Sequence, residues 1–266
     1  MRNTLIVPST HIKPLYYKLH IIYVIKFFEY LGYDIHHSDY ISKDEVRFIA
    51  YTNDEKCVFD FSDYTEALEK INTTYYKFHP SEQTLKEHPT IRPFPPISFY
   101  SWEEYYTLAD EIKYTCNTDR ILNMQRPHTQ NYKRRVFVQK MLRDKYGENA
   151  ITHLTNVTEF WDQINSCLVS VCVPGARNDI IDRGHLQYLA LGCCTISPEI
   201  IDVFPGNVKL LPGVHYLACN SDYSDLLDII EYCKCNRQRC MRIGLAARHF
   251  FSSHCTPEAF VNAYNN

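Results

Sequence analysis

The chain has 266 residues, 45% hydrophobic and 22% charged, with a net charge of −3. That is the composition of a folded globular protein, long enough for two α/β lobes of roughly 100 residues or more each. The slightly acidic balance offers no broad basic field, which argues against nucleic acid and leaves a small molecule in a local basic cleft as the expected partner.

Thr4 to Val7 is a short predicted strand, followed by the loop Pro8 to Pro14 and a helix from Leu15 to near Gly32. Lys18, Lys26 and Glu29 interrupt this most apolar helix, and nothing at the N-terminus reads as a signal peptide, so no membrane span is expected. Glu45 to Tyr51 and Cys57 to Phe61 read as strands joined by the polar turn Thr52 to Lys56, where Asn53 and Asp54 supply turn chemistry. Ser62 or Asp63 opens a helix through Lys70, with Asp63 and Glu66 in a variant of capping-box spacing. Pro80 to Pro96, rich in proline and polar residues, reads as a surface loop. Ser101 and Glu104 then bracket the start of a helix, Trp102 to about Tyr114, that closes the first lobe.

The pattern restarts at Arg120 with strand Ile121 to Met124, loop Gln125 to Gln130, helix Tyr132 to Tyr146, a short strand near Ile151 and a helix capped near Asn156. The most informative stretch, Val169 to Ser197, follows. Strand Val169 to Val173 runs through the turn PGAR into a helix whose first turn carries Arg183, and after Gly192 the segment Cys193 to Ile196 resumes as strand. A helix N-terminus presents unpaired N–H groups and about half a positive charge, so with Arg177 and Arg183 added this β-loop-α-β unit suits a diphosphate. After Ser197 come a short helix, strands Val208 to Leu211 and His215 to Cys219, and a helix from about Tyr223 to Cys235. A final helix has Thr256 as cap and Pro257 in its first position. Strands alternating with helices predict a mostly parallel sheet with its ligand at the strand C-terminal ends.

Eleven cysteines form an odd set without a C-x-x-C pair. They read as buried, reduced thiols behaving as small hydrophobes, which implies a reducing, cytoplasmic compartment. Cys233, Cys235 and Cys240, with His254 and Cys255 beyond, have the makings of a metal group, but the first two share a predicted helix and converge poorly on a tetrahedral ion.

The segments RGHLQYLALGCCTIS, LLPGVHYLACNSDYSDLLDIIEYC and AARHFFSSHCTPEAF, within Leu168 to Ala263, together resemble the C-terminal half of glycosyltransferases with the GT-B fold. The first lobe resembles them more faintly, through LYYKLHIIYVIKFFEYLGYDI and FDFSDY. Small viral and bacterial transferases, among them the xylosyltransferase of chlorella viruses, are the most similar members, with exostosin-like enzymes more remote. The resemblance implies two Rossmann-like lobes facing across a cleft. Residues 1–115 would form the acceptor side, 116–255 the nucleotide-sugar lobe and 256–266 a terminal helix. It further implies transfer from a nucleotide-sugar donor, a UDP-sugar such as UDP-xylose, to a hydroxyl of a glycan acceptor. The E-x7-E arrangement of many retaining members is absent, with Asp182, Arg183 and Gln187 in its place, which favours inversion.

Glycosyl transfer needs the leaving diphosphate stabilised and the acceptor hydroxyl deprotonated. No D-x-D pair occurs, so the expected enzyme uses no metal and no resident cofactor, and Arg126, Arg177 and Arg183 supply the positive charge. Asp60 alternates away from the core that Phe59 and Phe61 fill and is the first candidate base. Asp63, whose capping role is an alternative account, and His11, after the first strand, are the others. Gln187 and Tyr188 are candidates to contact the donor's ribose or sugar. A sugar-nucleotide epimerase or hydrolase of the same fold, and a non-catalytic nucleotide- or glycan-binding adaptor, are the competing readings.

Overall fold

The computed structural model describes residues 3–9, 15–40, 46–63, 73–96, 101–127, 131–153, 156–175 and 177–264. In chain order they form β1 (Thr4–Pro8), α1 (Leu15–Tyr30), β2 (Asp34–Ser38), β3 (Arg47–Thr52), β4 (Glu55–Asp60), β5 (Thr74–Lys77), α2 (Glu82–Glu87), β6 (Ile91–Pro93) and α3 (Trp102–Glu111). There follow β7 (Ile121–Leu122), α4 (Tyr132–Tyr146), β8 (Ala150–Ile151), α5 (Val157–Ser166), β9 (Val169–Val171), α6 (Arg183–Ala190) and β10 (Thr195–Pro198). Last come β11 (Val203–Phe204), β12 (Val208–Lys209), β13 (Leu217–Cys219), α7 (Leu226–Cys235), α8 (Arg237–His254) and α9 (Pro257–Tyr264).

The α/β chain divides into two units, one holding Met1–Tyr105, Asp202–Lys209 and His254–Asn266, the other Tyr106–Ile201 and Leu210–Ser253. The division falls inside α3, ahead of the boundary at residue 115 read from the sequence. The terminal helix α9 belongs to the first unit because Phe260 sets its ring 5.3, 5.7 and 5.0 Å from those of Phe27, Tyr76 and Phe94.

The first unit is built on a six-stranded sheet of order β2-β1-β3-β4-β5-β6. Its pairs are parallel except that β3 runs antiparallel to both β1 and β4. The cause is local. Asn53 and Asp54 take φ of 49° and 67°, the two-residue turn that matches strand twist, and they send β3 straight back into β4. The expected hairpin is therefore present, and it makes the sheet mixed, a departure from a Rossmann-like lobe. On α1, Val24 and Phe27 are fully buried, while Lys26 and Glu29 pair at 2.7 Å on the exposed side.

Pro80 to Pro96 is more than the loop expected. It carries α2, whose cap Ser81 accepts from the Thr84 N–H at 3.2 Å, and the edge strand β6. Proline hides such a strand from sequence patterns because at a sheet edge its missing N–H costs no ladder bond. The helix expected through Lys70 falls mostly outside the described residues. After Ser197 the expected short helix is replaced by irregular chain leading into the pair β11–β12.

The second unit has a five-stranded sheet of order β13-β10-β9-β7-β8, with every pair parallel. Successive strand residues feed opposite cores. Ile121, Val169, Val171 and Cys194 face Val138 and Leu142 of α4, Ile230 of α7 and Ile243 of α8. Leu122, Cys172 and Cys193 face Ile112, Ile164 of α5 and Tyr188 of α6. The parallel sheet is the one that strand-helix alternation predicted, and helices cover both of its faces. Asn156 caps α5 as expected, accepting from the Glu159 N–H at 2.9 Å. All eleven cysteines are free thiols and ten are buried, and burial pushes the Cys57 thiol up to about 12. Among the described residues no helix is long and apolar enough to cross a membrane.

The helix α8 had no counterpart in the sequence reading, and one glycine seats it. A Cβ on Gly244 would lie 1.9 Å from the Gly192 carbonyl oxygen, a backbone atom that cannot swing aside, and 3.1 Å from the Tyr114 ring. Gly244→Ala is expected to cost roughly 2–3 kcal/mol through overpacking, read as a lower urea midpoint. Leu245→Ala, on the exposed side, should stay within about 0.5 kcal/mol. Equal midpoints for the two variants would contradict this seating.

Candidate functional site

In a doubly wound sheet, connections that leave neighbouring strands in opposite directions open a crevice at the strand C-terminal ends. Here the reversal lies between β7 and β9. The segments after these strands are held by side-chain hydrogen bonds. Asn123 donates to the Val171 carbonyl at 2.7 Å. Gln139 of α4 donates to Asn123 Oδ1 and to the Gln125 carbonyl at 3.1 and 2.9 Å. Gln125 accepts from the Val173 N–H at 2.5 Å and donates to Asp182. Arg135 donates to the carbonyls of Val173 and Arg126 at 3.0 and 2.7 Å and to Asp182 Oδ2 at 2.8 Å. Its neighbour Arg134 donates to the Gly175 carbonyl at 2.6 Å.

Asp182 is the N-cap of α6, its Oδ1 accepting from the His185 N–H at 2.8 Å. Burial holds its carboxyl above the ordinary aspartate value, and Arg135 and the His185 N–H oppose that rise without cancelling it. The helix end that the sequence marked as a phosphate cradle thus already carries an anion of the protein itself, which answers both the dipole and the unpaired N–H groups.

Of the three arginines nominated for the diphosphate, Arg126 is exposed beyond β7 and Arg183 is the half-buried first residue of α6. Arg177 forms a bidentate pair with Asp179 at 2.9 and 2.7 Å, and its hydrogen bonds hold the Asp179 carboxyl below the ordinary range. Gln187 is half-buried one turn into α6. Tyr188 is a core residue: it is 1% exposed, its ring 5.5 Å from that of Phe160. Helical spacing places it on the face of α6 that packs on the sheet, which corrects its assignment to the donor.

Next to Arg177, the C-terminal ends of β9, β10 and β13 border a cavity of about 570 Å³, lined by Arg177, Asn178, Asp179, Glu199, Asn220 and Ser221 among others. The volume is that of a small-ligand pocket. Asn178 braces it, donating to the Ser221 carbonyl at 2.6 Å and accepting from the Tyr223 hydroxyl at 3.1 Å.

In the first unit, polar side chains collect where β4 and β5 end, with Asp60 opposite Lys77 in the register. Asp60 is 2% exposed. Its Oδ2 accepts from Lys77 Nζ at 3.0 Å and the Tyr75 hydroxyl at 2.5 Å, and its Oδ1 from the Ser62 N–H at 2.9 Å. Alternation does turn Asp60 from Phe59, but into a second buried setting instead of an open cleft. Asp63 is half-buried just beyond, and His11 lies outside the described residues. His79 places Nδ1 3.2 Å from Asp202 Oδ2, both residues buried. Burial lowers the His79 pKa, and the Asp202 carboxylate overrides that and leaves it raised.

The sequence reading missed Gln125, Arg134, Arg135, His79 and Asp202. The two arginines carried a signal: cations in the first turn of a helix oppose its dipole, so their partners had to lie outside α4. His79 and Asp202, 123 residues apart, carried none. No family model matches the chain. Over 85 residues, 29% of its length, the chain is 27% identical to an uncharacterized protein, 179R, of Invertebrate iridescent virus 6, and the match spans 7% of that protein.

Two of the buried histidines, His185 and His79, set opposite pH responses. His185, hydrogen-bonded to Thr195 Oγ1 at 2.7 Å, is lowered by burial to about 3. As pH falls below about 6.5 the unfolded chain takes a proton that the native one refuses, a loss of about 2 kcal/mol at pH 5. The raised His79 contributes fully below its unfolded value and loses that contribution as pH rises through its folded value. In a melting series, His185→Gln should flatten the acid limb, and the deficit of His79→Gln should shrink as pH rises. Melting curves of both variants running parallel to the parent at every pH would contradict these roles.

Proposed function

We propose that the chain is a GT-B-type glycosyltransferase moving a sugar from a nucleotide diphosphate to a glycan hydroxyl, with inversion. The observation that carries this reading is the arginine-bordered cavity at the C-terminal ends of a wholly parallel, doubly wound sheet, where such folds bind nucleotides. Arg177 exchanges Asp179 for the diphosphate, and Arg183 and Arg126 add charge as the leaving group forms. Glu199, on the cavity wall, accepts from the ribose hydroxyls as acidic residues do in other nucleotide folds. A UDP-sugar, UDP-xylose included, is the donor that the family resemblance favours.

Within the first unit, the His79–Asp202 pair is the group suited to take a hydroxyl proton, Asp202 fixing the ring through Nδ1 and leaving Nε2 for it. Asp60 is the weaker base because Lys77, Tyr75 and Ser62 already occupy its carboxylate.

Thermal shifts with UDP, GDP, CDP, ADP and dTDP test the donor half. One nucleotide at 100 times its dissociation constant should stabilise by about 2.7 kcal/mol, and no shift with any of the five overturns the reading. Asp179→Asn, which removes the competing charge from Arg177, should tighten nucleotide binding severalfold, and Glu199→Gln should weaken it. His79→Gln should abolish transfer with nucleotide affinity intact; a variant that still transfers returns the base to Asp60, where Asp60→Asn then has to be inactive.

A further inference from the structure

At the opposite, N-terminal ends of the second unit's strands lies a groove of about 510 Å³ that shares no residue with the nucleotide cavity. One wall is α8, which offers Gln238, Met241, Arg242, Leu245 and Arg248, a single helical face running about 15 Å. The other wall is Lys113 and Tyr114 with the turn Leu191–Gly192. The backbone contact between Gly244 and Gly192 draws the two walls together.

The groove is apolar in a place that ordinary solubility does not explain. Met241 is 42% and Leu245 69% exposed. The residues lining it include the cations Lys113, Arg242 and Arg248 and no carboxylate. The whole of α8 carries four arginines and no acidic residue. Three of these arginines are spoken for by the fold. Arg237 donates to Asp119 and to the carbonyls of Cys116 and Thr118, Arg239 to that of Gly213, and Arg248 to those of Ala109 and Ile112. Arg242 and the Lys113 ammonium have no ion pair or side-chain hydrogen bond among the described residues. Two uncommitted cations therefore flank an exposed leucine in a chain of net charge −3.

We propose that this groove binds an amphipathic anion, its alkyl or acyl chain lying along Met241 and Leu245 and its phosphate or carboxylate head at Lys113 and Arg242. A neutral hydrocarbon would leave both cations unanswered, and inorganic phosphate would leave the leucine in water. The combination selects a ligand carrying both parts. The assignment is independent of the nucleotide site and of any sugar transfer.

Calorimetric titration of the full chain with dodecyl phosphate, below its micelle concentration, tests it. Saturable binding is expected that weakens with salt and drops at least tenfold in Leu245→Asp and in the double variant Lys113→Glu/Arg242→Glu. All three positions are exposed, so melting temperatures close to the parent's confirm that the variants are folded. Co-sedimentation with phosphatidic acid vesicles separates the sources. Pelleting shows that the groove takes a headgroup held in a bilayer, and binding of the monomer without pelleting shows that it takes a free amphiphile. Failure of both, equal binding of neutral dodecyl maltoside, or binding that the variants retain would overturn the proposal.

Discussion

The Asp182 carboxylate is the joint on which the C-terminal edge of the second unit's sheet depends. Gln125 from the segment after β7, Arg135 from α4 and the first turn of α6 all donate to it. Three stretches of chain are locked together by bonds to one charge. Charge-assisted bonds of this kind are worth roughly twice neutral ones, and removing a partner strands a buried charge at a cost of about 3–5 kcal/mol.

The same joint decides where a ligand's charge can sit. With Asp182 on the N-terminus of α6, the dipole there is answered, so under the proposed function a phosphate would have to find its positive partners in side chains instead. Arg177 stands at the edge of the neighbouring cavity with Asp179 as a built-in competitor, an anion holding the place of an anion. The first unit repeats the theme at the ends of β4 and β5, where Lys77 is fully buried and its ammonium is matched by Asp60 and Ser62. Such buried pairs fix geometry more than they add stability. Asp60 with Lys77, and His79 with Asp202, are both pairs of this kind.

Much of this was legible in the sequence where the signal is local. Asn53-Asp54 announced a hairpin, Asn156 a helix cap, and the alternation after Arg120 a parallel sheet, because each rests on neighbours within a few residues. The misses are non-local. β5 and β6 are short, and a proline ends the second, so only their sheet partners define them. Period-two alternation gave the side of the strand on which Asp60 lies and said nothing of what covers that side. Tyr188 and Gln187 are adjacent in sequence, and only the sheet beneath α6 decides that one is core and the other reaches outward. The helix α8, polar by composition, went unread because its seat is a glycine contact with a turn some fifty residues away.

The central claim, that the C-terminal edge of the second unit's sheet is built for a nucleotide diphosphate, is tested most directly by a crystal structure of the chain with UDP. The expected result is density for the diphosphate in the cavity beside Arg177, with the Arg177–Asp179 pair opened and the ribose hydroxyls at Glu199. UDP bound anywhere else on the chain, or an intact Arg177–Asp179 pair with the cavity filled by solvent at saturating UDP, would contradict it.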